Sequence, residues 1–199
     1  FSYRNKMEFT FSKNRWILDD EPEKVESDFA LGMHIPKRWD KILDIKSCDL
    51  MPDVGSKIIN FVRDLAKKSK LKPYDQRSHI GFLRYLALRF GLNTNELMVN
   101  LVTSYEDLDS LIPFVEEIVN EFPEVTSVVN NINTRKADVS FGEREILLFG
   151  KPILNEKLND LTFQISANSF FQTNSLMAEK LYDVILDSAN LSGNEIVYD

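Results

Sequence analysis

Ile80-Gly81-Phe82-Leu83-Arg84-Tyr85-Leu86-Ala87-Leu88-Arg89-Phe90, then Gly91-Leu92-Asn93-Thr94-Asn95, then Glu96-Leu97-Met98-Val99-Asn100-Leu101-Val102-Thr103 is the stretch that sets the fold class. Two runs rich in Leu, Val and aromatic residues flank a short Gly/Asn connection, the signature of an antiparallel hairpin. Upstream, Val54, Ile58, Ile59, Phe61, Val62, Leu65 and Ala66 recur at helical spacing and predict a helix over residues 53–69. Downstream, Ser104-Tyr105-Glu106-Asp107 has the form of a capping box. Behind it, Leu108, Leu111, Ile112, Val115, Val119 and Phe122 form a stripe that lasts until Pro123.

Further out, Tyr3 to Ser12 alternates with period two. Tyr3, Asn5, Met7, Phe9 and Phe11 share one face; Arg4, Lys6, Glu8, Thr10 and Ser12 share the other. Asp19 to Asp28 is an acidic loop. Strands are expected at Ala30–Ile35, Lys41–Ile45, Val125–Ile132, Glu145–Phe149 and Leu161–Ile165. Hairpins and helices without regular β-α-β alternation predict an α+β domain over residues 1–165, with a mainly antiparallel sheet and packed helices.

The character changes after residue 165. Asn174 to Asn190 reads as an amphipathic helix, Leu191-Ser192-Gly193-Asn194 as a turn, and Glu195-Ile196-Val197-Tyr198-Asp199 as a strand closing on an acid. In doubly wound α/β domains that order precedes a Gly-rich cofactor loop. Residues 166–199 are therefore expected to open a Rossmann-like domain with its first helix and strand. Phe1-Ser2-Tyr3 also enters a strand pattern without an initiator Met, so the expectation is a fragment of a larger enzyme.

The 199 residues are 43% hydrophobic with 14 Phe, enough for one core and part of another. No apolar run approaches the length of a membrane span, and no signal peptide is visible. One cysteine excludes an internal disulfide and fits a reducing cytoplasm, which is the expected location. The net charge of −7 argues against nucleic acid until it is divided along the chain. Residues 1–90 hold 18 Lys and Arg against 13 Asp and Glu; residues 91–199 hold 6 against 18. Phosphate contacts need local positive charge, and the first half has it.

Residue patterns alone leave the site open. His34 and His79 have no Cys or His at ligand spacing, and no nucleophile elbow, phosphate loop or complete G-x-G-x-x-G is present. Cys48, between two predicted elements, would by itself be a small buried hydrophobe.

An ordered series changes this. Tyr3-Arg4-Asn5-Lys6-Met7-Glu8-Phe9-Thr10-Phe11-Ser12, Leu31-Gly32-Met33-His34-Ile35-Pro36, Leu43-Asp44-Ile45-Lys46-Ser47-Cys48, Gly81-Phe82-Leu83-Arg84, Asn131-Ile132-Asn133-Thr134, Ser169-Phe170-Phe171-Gln172-Thr173-Asn174-Ser175 and Val197-Tyr198-Asp199 follow one another along the whole chain. The series resembles the RumA/TrmA family of S-adenosylmethionine-dependent RNA (uracil-5-)-methyltransferases, and more closely its 23S rRNA branch. The resemblance implies a central substrate domain followed by the lead-in to a methyltransferase domain. It implies a reaction in which a cysteine thiolate adds to uracil C6 so that C5 can take the methyl group. The uridine must be flipped or single-stranded.

By that resemblance the nucleophile and its base lie beyond Asp199, and no catalytic residue is expected in this chain. Gln172 matches a Gln that contacts the methionine moiety of S-adenosylmethionine; an amide carries both donor and acceptor, which suits a zwitterion beside a helix N-terminus. Its alternative is a core pair, Phe170 and Phe171, with Gln172 and Asn174 capping the helix. Cys48 matches the fourth ligand of a 4Fe–4S cluster in cluster-bearing members. One thiolate cannot hold such a cluster, so none is expected in this chain. Arg4, Lys6 and Arg15, on the polar face and tip of the first strand region, are the expected RNA contacts; a solvated strand face is the alternative. Asp199 matches the end of the first methyltransferase strand. The implied partner is RNA, 23S rRNA ahead of tRNA, with no membrane and no obligate protein partner. The competing reading is a non-enzymatic α+β module that binds RNA or protein.

Overall fold

Alternation in β1 (Lys6–Ser12) sends Met7, Phe9 and Phe11 into the core and leaves Lys6, Glu8 and Thr10 on the opposite face. A computed structural model describes residues 1–22, 26–137 and 139–198. In it β1 pairs antiparallel with β3 (Ala30–Ile35) on one side and β5 (Leu83–Gly91) on the other. β5 turns through Leu92–Asn95 into β6 (Glu96–Thr103), the hairpin expected from sequence. With β2 (Arg15–Trp16), β4 (Arg38–Asp44), β7 (Ser127–Ile132) and β8 (Arg144–Gly150), the sheet order is β2-β4-β3-β1-β5-β6-β7-β8. Only β2 with β4 and β6 with β7 run parallel among the paired strands described. The expected α+β class with a mainly antiparallel sheet is what the chain adopts.

Two helices cover one face. α1 (Asp53–Lys68) buries Ile58, Ile59, Val62, Leu65 and Ala66 against Phe9, Leu86 and Leu88 of the sheet. Arg63 on its inner face is itself buried, paired to Asp44 at 2.8 Å and donating to the carbonyls of Leu31 and Ile45, so the helix is bolted to β3 and β4. α2 (Leu108–Glu121) makes the crossover that lets β6 and β7 run parallel. The opposite face is covered by a two-stranded ribbon, β9 (Ile153–Leu158) and β10 (Leu161–Ser166), with Leu154 and Ile165 against Met98 and Val129. Covered on both faces, β5 is buried at every position.

Several sequence expectations need correction. The cap of α2 is Asp107, whose carboxylate accepts from the Ser110 N–H at 3.1 Å; Ser104 instead donates to the Gly81 carbonyl. The buried stripe is Leu111, Phe114, Val115 and Ile118, and Ile112 is exposed. The cap moved three residues along because Asp107 is the acid in reach of free first-turn amides, and the stripe rotated with it. β9 was not expected: it carries three consecutive polar residues, Asn155, Glu156 and Lys157, yet Glu156 is fully buried. The run Glu195–Tyr198 is not a strand here; a strand needs a neighbour to pair with, and these residues have none among those described. Asp199 lies outside the described residues.

Phe9 is fully buried between the α1 helix and the sheet. Phe9→Ala is expected to cost about 3–5 kcal/mol, read as a lower urea midpoint at unchanged slope.

Candidate functional site

Residues 166–175 leave β10, cross the ribbon-covered face and enter α3 (Ser175–Ala189). The helix cap is Asn174, whose side chain accepts from the Met177 N–H at 3.1 Å, and α3 ends at Asn190 in the left-handed conformation. Capping is thus done without Gln172. Its side chain is exposed and its amide makes no hydrogen bond among the described residues. Phe170 beside it is 87% exposed, whereas Phe171 turns inward against Phe163, ring centroids 5.6 Å apart. Of the alternative in which both rings are core and Gln172 and Asn174 cap the helix, the Asn174 cap is present, but Phe170 is exposed and Gln172 does not cap.

The main chain of the segment is fastened from beneath. At its start, Arg89 reaches out of β5 and donates to the carbonyls of Ala167, at 3.2 Å, and Ser169. Asn168 donates to Asn131 at 2.7 Å, and Asn131 to Asn100 at 2.9 Å, a ladder across β7 and β6. At its end, the Asn5 side chain donates to the Gln172 carbonyl at 2.7 Å and to Ser175 Oγ at 2.8 Å. The Asn5 N–H donates to the Thr173 carbonyl at 2.8 Å. Ser175 Oγ in turn donates to Glu156 at 2.7 Å. Held at both ends, the backbone offers Phe170 and Gln172 outward on a fixed frame.

Beneath the segment Arg89 is shielded from water, while Glu8 and Glu145 near it are exposed. Arg89 is 3% exposed. Burial pushes its guanidinium below the ordinary arginine value, opposed by the nearby Glu8 and Glu145 carboxylates. Burial pushes the Glu145 carboxyl above the usual range. Glu8 goes the other way: burial alone would raise it, but hydrogen bonds from Lys6 and Ser140 hold its carboxyl below the ordinary value. Next to Glu8, an open groove of about 480 Å³ runs over β1, β3 and β5, walled by Met33, His34, Tyr85 and Phe141.

The three expected RNA cations do not converge. Lys6 pairs with Glu8 at 2.5 Å. Arg15 pairs with Glu21 at 2.7 Å and folds over its own loop. Arg4 lies where Ser2 and Arg4 pair with the Asp49–Leu50 backbone, its buried Nε without a hydrogen-bond partner among the described residues. Cys48 is a free, partly buried thiol packed against the helix-side core, its N–H donating to Ser56 Oγ at 3.0 Å. Among the described residues no group of three or more His, Cys, Asp and Glu could hold a metal, so these residues do not by themselves fit an iron–sulfur cluster. No helix among them is long and apolar enough to cross a membrane. His79 accompanies Tyr74, ring nitrogen to hydroxyl 3.0 Å.

Sequence reading missed Asn5, Arg89, Asn131 and Glu156. The available signal was polar residues inside otherwise apolar strands, such as Arg89 between Leu88 and Phe90. Buried polar groups are there to satisfy something. What they satisfy lies up to 170 residues away.

No protein-family model matches the chain. It is 40% identical over 205 residues to an uncharacterized RNA methyltransferase of Chlorobaculum tepidum, covering 99% of this chain and 42% of that protein. A counterpart from Porphyromonas gingivalis is 38% identical over 206 residues, covering 99% and 44%. Among solved structures, the Pyrococcus abyssi tRNA (uracil-54, C5)-methyltransferase in complex with S-adenosyl-L-homocysteine superposes with a TM-score of 0.70 at 30% identity, over 93% of this chain and 40% of that one. The chain thus spans about two-fifths of the length of the proteins it matches.

Glu8 gives a pH dependence with a definite sign. Its folded carboxyl sits below the ordinary value, so the stability it contributes is full above the ordinary carboxylate range and is lost as pH falls through the depressed value. The melting temperature of Glu8→Gln, measured across the acid limb, should fall less steeply than that of the wild type.

Proposed function

We propose that the chain belongs to the RNA (uracil-5-)-methyltransferases. In this reading residues 1–165 are the substrate domain and residues 166–199 the opening of a methyltransferase domain, supplying one edge of the S-adenosylmethionine pocket. The observation that carries the reading is Gln172, an unpartnered amide presented on an anchored main chain beside a helix N-terminus. Similarity to proteins named RNA methyltransferases, and to a tRNA uracil-C5 enzyme holding S-adenosyl-L-homocysteine, supports it.

Bound there, S-adenosylmethionine supplies a methyl group activated on a sulfonium. This chain's residues bind its amino-acid end. The Gln172 amide can donate to the carboxylate or accept from the ammonium, and the first-turn N–H groups of α3 favour the carboxylate. The nucleophilic cysteine of the reaction is not Cys48, which faces the helix-side core. Cys48 would serve a cluster only as one thiolate of four.

RNA is the substrate, with a single-stranded or flipped uridine presented to the methyl donor. The groove beside Glu8 offers the exposed ring of Phe141 as a stacking surface for an unpaired base. Arg4, Lys6 and Arg15 remain the proposed phosphate contacts, Lys6 on condition that phosphate displaces its Glu8 partner. 23S rRNA is the first substrate by the ordered sequence series, and tRNA its competitor by the tRNA enzyme among similar structures. Labelled methyl transfer to unmodified 23S rRNA and to unmodified tRNA by the full-length protein distinguishes the two, and transfer to neither overturns the reading.

For Gln172 the expectation is sharp. Gln172→Ala in the full-length protein should lower affinity for S-adenosyl-L-homocysteine by roughly tenfold or more, since a hydrogen bond to a charged group contributes about 1.5–3 kcal/mol. Thermal stability and RNA affinity should hold, because Asn174 does the capping. Unchanged cofactor affinity would remove Gln172 from the site.

A further inference from the structure

Glu156 is fully buried and makes no ion pair among the described residues. Isolated carboxylates are costly to bury, so this one must be held by donors. It is: Oε2 accepts from the Leu92 N–H at 2.9 Å and from Ser175 Oγ at 2.7 Å. Oε1 accepts from the Asn93 N–H at 3.0 Å and from the Lys157 N–H at 3.0 Å. The first and third donors belong to the β5–β6 turn, the second to the first residue of α3. One side chain on the ribbon therefore ties the sheet's hairpin to the helix that follows Gln172.

Asn5 completes the tie. It is 4% exposed, and both hydrogens of its amide are used, on the Gln172 carbonyl and on Ser175 Oγ. Its N–H takes the Thr173 carbonyl and its own carbonyl accepts from Phe90, so Asn5 is joined to β5 as well. Ser175, fully buried, receives from Asn5 and donates to Glu156. Three elements thus meet at one hydroxyl, the lead into β1, β9 and the start of α3, and through Asn5 and Glu156 they reach the end of β5 and the β5–β6 turn. A helix start needs only a cap, and Asn174 provides it. The Asn5–Ser175–Glu156 relay is additional, and it grips the two carbonyls, of Gln172 and Thr173, that fix where the Gln172 side chain leaves the backbone.

We propose that Asn5, Ser175 and Glu156 are positioning residues for the cofactor contact, acting through the main chain of Gln172 and Thr173. This rests on the reading of Gln172 given above. Placement to within a fraction of an ångström decides whether an amide meets a charged group well, and main-chain anchoring from a buried network supplies it. Asn100, Asn131 and Arg89 hold the front of the same segment but touch neither carbonyl.

The test is a double-mutant cycle in the full-length protein, with S-adenosyl-L-homocysteine titrated calorimetrically and amide hydrogen exchange followed over residues 170–178. Asn5→Ala should weaken binding by roughly tenfold, speed exchange in that segment, and leave the β5–β6 strands protected. Asn5→Ala combined with Gln172→Ala should bind no more weakly than Gln172→Ala alone, because the first residue works through the second. Should Asn5→Ala not fold, Ser175→Ala removes only the linking hydroxyl and leaves the Asn174 cap; it should weaken binding several-fold by the same logic. Gln172→Ala weakening binding while Asn5→Ala or Ser175→Ala leaves it unchanged overturns this inference alone. Additive losses in the double mutant also overturn it, since they describe general destabilisation. No effect of Gln172→Ala overturns the cofactor reading, and the inference with it.

Discussion

Burial of β5 on both faces is the constraint from which the rest of the structure follows. Helices α1 and α2 take one face and the β9–β10 ribbon the other. A strand so enclosed cannot send a polar side chain to water, so any polar group it carries must find a partner inside. Arg89 finds the carbonyls of Ala167 and Ser169; Arg84 finds those of Asn133, Arg135 and Ala137. In each case a buried cation organises a segment that has no regular hydrogen-bonding ladder of its own.

The two sides of the sheet are built from different chemistry. The helix side is mostly hydrocarbon, and among the described residues it carries the buried ion pair of Arg63 and Asp44, which ties α1 to β3 and β4. Over β5, β6 and β7 the ribbon side carries Arg89, Asn100 and Asn131, a layer in which amides and charges answer one another. Such a layer has little tolerance: each member left unpaired would cost about 1–3 kcal/mol in desolvation. Such a base holds the main chain above it in one place. The same layer explains why Glu8 and Glu145 shift in opposite directions. Glu8 has Lys6 and Ser140 to stabilise its charge, while burial dominates at Glu145.

α3 stands apart from this. Ser175 and Ala178 are buried, but Leu181, Val184, Ile185 and Leu186 are exposed, so the helix is seated by its first turn and little beyond. Stability along the chain should therefore be uneven, highest in β5 and β6 and lowest after Ala189.

Local pattern was enough for most elements. The period of two in Tyr3–Ser12, the helical stripe of α1, the hairpin around Gly91–Asn95 and the span of α3 were all legible, because each is set by spacing and turn chemistry within a dozen residues. What the sequence could not determine was anything settled by partners far along the chain. Ser104 left the expected capping box for the Gly81 carbonyl, β9 formed across three consecutive polar residues, and Glu195–Tyr198 found no strand partner among the described residues. Most of all, the roles of Asn5, Arg89 and Glu156 exist only once residues more than sixty positions apart are in contact. A buried polar side chain is defined by what it satisfies, and that is a property of the tertiary structure.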